Sequence, residues 1–73
     1  MKFKDLYKTL NFMKIELFFK ESKSDKPFYA GDPNRIPLSL YLDIEDKEVR
    51  NLSGYAEKGI CNFVLIIVLN GSW

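Results

Sequence analysis

The stretch Phe63–Leu69, FVLIIVL, restricts the fold more than any other part of the chain. Seven apolar residues run without a break, fenced by Asn62 and Asn70. The β-branched Val64, Ile66, Ile67 and Val68 favour a strand and crowd a helix. In a strand, Phe63, Leu65, Ile67 and Leu69 point to one face, and Val64, Ile66 and Val68 to the other. A strand that is apolar on both faces belongs inside a sheet covered on both faces. That is demanding for 73 residues, because a chain of this size forms one domain and buries only about 60% of its unfolded surface. The run therefore predicts an inner strand over 62–69.

The other elements are shorter. Phe3, Leu6, Tyr7 and Leu10 share one stripe of a helix over 2–10, with Asn11 as its stop. Two turns are marginal alone and need packing. In KIELFFK, 14–20, Ile15, Leu17 and Phe19 alternate with Lys14, Glu16, Phe18 and Lys20, a strand pattern. The polar stretch 21–26 reads as a hairpin loop, and Pro27 to Ala30 as the antiparallel return. Gly31-Asp32-Pro33-Asn34 has turn chemistry. Residues 36–45 carry two patterns. Leu38, Leu40, Leu42 and Ile44 alternate with polar neighbours as in a strand, whereas Pro37 suits the first position of a helix. The alternation favours strand slightly. Residues 47–53 read as an edge strand and 54–59 as a loop bounded by glycines. The expected class is α+β, a single domain over 1–73. A short N-terminal helix packs on a small, mainly antiparallel sheet of three to four strands, with the C-terminal strand central.

One short helix covers one face of that strand. The opposite face needs the segment 36–44, a second copy of the chain, or another protein. Burying each aliphatic side chain is worth about 1.5–3 kcal/mol, so three left in water would cost a sum comparable with the whole stability of a small domain. An uncovered cluster of this kind marks an interaction surface. Phe18, Val64, Ile66 and Trp73, rimmed by Lys20, Lys23 and Lys26, form the expected partner-binding patch, because aromatic and basic residues anchor interfaces.

Composition narrows the chemistry. Histidine is absent, which removes the commonest general base and metal ligand. Cys61 has no activating partner in sequence and adjoins an apolar strand, so it reads as an inert thiol. Asp43, Glu45, Asp46 and Glu48 lack the glycine-spaced ligands of a calcium loop. No catalytic residue, cofactor or metal is expected, and the chain is not read as an enzyme. A net charge of +1 argues against direct nucleic-acid binding. It argues equally against mimicry of DNA, which needs an acidic excess. The charge is nonetheless divided: residues 1–26 hold seven lysines against four acids, and 27–57 hold six acids against Arg35, Lys47 and Arg50. A single cysteine fits a reducing compartment. The opening has no signal-peptide pattern, and the apolar run is shorter than the ~20 residues of a membrane-spanning helix. No membrane association is expected.

The opening MKFKDLYKTL, the strand KIELFF and the later RIP…EDKEVRNL together resemble short proteins from phages and mobile elements of low-GC Gram-positive bacteria. In those proteins the Ile-Pro segment looks like a short helix, which draws 37–42 from strand toward helix. They include inhibitors of host defence, anti-CRISPR proteins among them. The resemblance implies a non-enzymatic inhibitor in the cytoplasm of a bacterial host cell. It would bind a host protein, a Cas9-type nuclease, by protein–protein contact. The alternative is a homodimeric structural or accessory phage protein without inhibitory activity.

Overall fold

Alternation decides the strands. A computed structural model of the chain describes residues 1–10, 14–21, 26–56 and 63–71. Strand β1, Lys14–Phe19, buries Ile15, Leu17 and Phe19 and leaves Lys14, Glu16 and Phe18 half-buried, as period-two patterning requires. Strand β2, Tyr29–Gly31, pairs antiparallel to it, Ile15 opposite Gly31 and Leu17 opposite Tyr29. Strands β3, Val49–Ala56, and β4, Phe63–Leu69, form a second antiparallel pair. Parallel pairing of β1 with β4, Lys14 opposite Val64 through Phe19 opposite Leu69, joins them into one sheet of order β2-β1-β4-β3. The domain is α+β, and the C-terminal strand lies inside the sheet. Two of the three pairings are antiparallel, and the central one is parallel.

Two helices lie on the same face. Helix α1, Phe3–Tyr7, stops short of the predicted 2–10. Its last turn closes with Thr9 N–H and Leu10 N–H donating to Leu6 and Tyr7 carbonyls, and the proposed stop at Asn11 lies outside the described residues. Helix α2, Leu38–Ile44, replaces the strand that the alternation favoured and extends the helix that the resemblance implied. Tyr41 N–H donates to the Pro37 carbonyl at 2.9 Å, closing its first turn. The helical period turns Leu40, Tyr41 and Ile44 to the core and leaves Leu38 and Leu42 71% and 59% exposed. Leucine is a strong helix former, so this alternation carries no intrinsic strand preference. Between β2 and α2, Pro33–Arg35 makes one 3-10 turn, and the Asp32 carboxylate accepts from Asn34 N–H at 2.8 Å. Gly31, at φ +142°, lets the chain leave β2 into that turn.

The helices anchor one another. Phe3 N–H donates to Lys47 O at 2.9 Å and Lys4 N–H to Glu45 O at 3.0 Å, so free donors at the start of α1 meet carbonyls just past α2. Rings of Phe3, Tyr7 and Tyr41 stand 5.0–6.2 Å apart, and the Tyr7 hydroxyl donates to the Pro33 carbonyl at 3.0 Å. Phe3, Ile15, Leu17, Phe19, Ile44, Leu65, Ile67 and Leu69 form the core between helices and sheet. Tyr29 donates its hydroxyl to the Asp32 carbonyl at 2.6 Å. Burial raises its pKa, and the nearby Asp32 charge adds to this.

Two further readings change. Gly54 to Ala56, expected to open a loop, belong to β3, because the ladder with β4 runs on to Ala56 opposite Phe63; 57–59 lie outside the described residues. Segment 36–44 does not cover the second face of β4. Its core residues Leu40, Tyr41 and Ile44 pack with Phe3 and Tyr7 on the first.

Candidate protein-docking face

The sheet register defines the face opposite the helices. Paired residues in a sheet share a face, so Lys14, Glu16 and Phe18 of β1 stand with Val64, Ile66 and Val68 of β4 and with Tyr55, Ser53 and Asn51 of β3. Ala30 of β2 completes the set. No described helix lies over it. Phe18, Ile66 and Val68 are half-buried, flanked by Glu16 and by the exposed Ser53 and Asn51. An apolar row bounded by polar and charged groups is the anatomy of an interface.

One hydrogen bond shapes this face. The Tyr55 hydroxyl donates to Glu16 Oε2 at 2.8 Å. Strand β4 separates β3 from β1, so the phenol crosses β4 at the level of Val64 and Ile66. Beneath that arch Val64 is fully buried. This corrects the expectation that Val64 is a partner contact: its side chain has no surface to offer. Tyr55 and Glu16 hold that place, with Val68 beside Phe18. The alternation of β4 already put Val68 with Ile66; the arch from Tyr55 had no local signal, because Tyr55 and Glu16 are 39 positions apart.

The other predicted contacts divide. Phe18 and Ile66 share the open face. Lys20, just after β1, and Lys26, just before β2, are exposed. Lys23 and Trp73 lie outside the described residues. Tyr55→Phe is expected to lower stability by about 0.5–1.5 kcal/mol and to expose Val64. A urea melt compared with wild type measures the first effect, and a loss under about 0.2 kcal/mol would show that the arch does not hold.

The acidic stretch serves the helix junction. Asp46 lies 3.1 Å from Lys4 Nζ, and its hydrogen bond and charge raise the lysine pKa. Glu48 meets the Met1 ammonium at 3.1 Å. Among the described residues no three His, Cys, Asp or Glu side chains gather to hold a metal, and Cys61 lies outside them. No helix of the described residues is long and apolar enough to cross a membrane.

No family model, curated protein or solved structure matches this chain. The functional reading therefore rests on the residues themselves and on the resemblance of their layout.

Proposed function

We propose that the chain is a non-enzymatic binder of a host protein, an inhibitor of the anti-CRISPR kind that blocks a Cas9-type nuclease by occupying its surface. The half-buried row of Phe18, Ile66 and Val68 on the sheet's second face, over which no described helix lies, carries the binding part of this reading. Exposed Lys20 and Lys26 at the ends of β1 and β2 supply a basic flank. The nuclease target comes from the resemblance. A net charge of +1 favours contact with a protein surface over imitation of the phosphate row.

Titration into a Cas9-type cleavage reaction tests it. Cleavage should fall stoichiometrically, and a Phe18→Ser variant with an unchanged circular-dichroism spectrum should lose at least about tenfold in potency, since an interface anchor is worth about 1.4 kcal/mol or more. The Lys23→Glu, Lys26→Glu pair should weaken binding and flatten its salt dependence. Full cleavage at a large molar excess of the protein would refute the nuclease assignment. Equal potency of the Phe18 variant would refute the face.

A further inference from the structure

The outer edge of β3 is the least guarded part of the sheet. Seven of its eight residues are exposed, and no described strand pairs with that edge beyond Val49. Its N-terminal end is guarded twice: Val49 N–H donates to the Met1 carbonyl at 2.8 Å, and a bulge falls at Arg50. A shallow cavity of about 260 Å³, lined by Met1, Val49, Arg50, Asn51 and Leu52, marks where that cover stops. From Asn51 to Ala56 the strand carries no charge and no proline, the devices by which proteins protect an edge. Beside it both faces expose apolar surface, Leu52 at 42% and Phe63 at 44% on the helix face and Tyr55 at 42% on the other.

We infer that β3 pairs antiparallel with β3 of a second copy, so that two four-stranded sheets join into one. An edge with which no described strand pairs selects an extended strand as occupant, and three features select this chain's own. The segment is uncharged, so self-pairing brings no like charges together, and antiparallel pairing sends the two Arg50 side chains to opposite ends. The twofold axis of an antiparallel pair stands perpendicular to the sheet. Residues directly opposite share a face, so the axis must pass through a residue and not between two. Centring on Leu52 would drive the partner against Val49, where Met1 sits. Centring on Ser53 keeps Met1 in place and makes the longest ladder: Ser53 opposite Ser53, Leu52 opposite Gly54, Asn51 opposite Tyr55. Leu52 then fills the space beside Gly54 and meets the Phe63 ring that packs over that glycine. The pairing runs through the backbone edge of β3, beyond Ser53 and Asn51 at the border of the Phe18 face, and does not cover the row of Phe18, Ile66 and Val68.

Sedimentation equilibrium from about 5 to 500 µM tests the pairing. The mass should approach twice that of the chain as concentration rises. Ser53→Lys sets two ammonium groups face to face on the axis and should return a monomer with an unchanged circular-dichroism spectrum. In a Cys61→Ser background, Ser53→Cys should form a disulfide-linked dimer under mild oxidation, because directly opposed residues stand about 4.5–5.5 Å apart at Cα, within disulfide range. Leu38→Cys on the exposed helix should not. A wild-type monomer across the whole range, a dimer indifferent to Ser53→Lys, or equal cross-linking at both cysteine positions would each overturn the inference.

Discussion

Replacing Ile67 with alanine is expected to leave a large fraction of the chain unfolded at room temperature. Ile67 sits midway along β4, fully buried, with Leu17 beside it on β1 and Leu52 on β3. Removing its outer methyl and methylene groups loses their transfer energy and leaves a hole that two ladders prevent from collapsing, a cost of about 2–5 kcal/mol. A domain of this size has roughly 5 kcal/mol to lose. Val68→Ala, the next residue along, removes carbon from the half-buried opposite face. It should cost about 1–1.5 kcal/mol at most. Urea melts of the two variants compare the faces directly. Equal costs would mean that the second face is covered as completely as the first, and the docking proposal would lose its basis.

The two-sided character of β4 was legible because β-branched residues and unbroken apolar character are local facts. From them follow its place inside the sheet and the sorting of Ile67 from Ile66. Strand β1 was equally plain, since Ile15, Leu17 and Phe19 alternate with charged or surface residues. Segment 36–45 was not settled by its pattern. Leu38, Leu40, Leu42 and Ile44 satisfy a period of two, yet of these four only the i, i+4 pair Leu40 and Ile44 reaches the core, joined there by Tyr41 and Ile36. Its partner is helix α1 at Phe3–Tyr7, and nothing local announces the junction of Phe3 and Lys4 with Lys47 and Glu45. The parallel pairing of β1 with β4 is long-range in the same sense.

The candidate face was half legible. Parity alone places Phe18 with Ile66 once both strands are recognised and aligned. Parity does not tell which member of the row is roofed over, and Val64 is roofed by a side chain from β3, a strand whose last three residues looked like a loop. The misreading of 54–56 and the misassignment of Val64 thus have one cause. Glycine at 54 suggested a chain reversal, when its role in the sheet is to have no side chain.

That role carries the other large effect. Glycine inside a strand ordinarily costs about 0.5–1 kcal/mol relative to alanine, so Gly54→Ala should stabilise the protein if backbone entropy were all that mattered. Gly54 does not adopt positive φ, and its conformation gives alanine no penalty. Space decides the sign. A Cβ at position 54 would run into the Phe63 ring and stand 2.8 Å from the Val64 carbonyl oxygen. The ring can swing away, but the carbonyl belongs to the central strand and cannot. Gly54→Ala is therefore expected to destabilise by about 1–3 kcal/mol, and Gly54→Val by more. Phe63→Ala opens the space above the glycine, so the double variant should recover part of the loss, with a coupling of about 0.5–2 kcal/mol. Recovery should stop short of complete, because the contact with the carbonyl remains. Thermal melts of the four proteins in the cycle measure the coupling. An alanine at 54 that raises the melting temperature would mean that Phe63 does not lie over this strand. The exposed apolar ledge from which β3 is inferred to pair with a second copy would then be built differently.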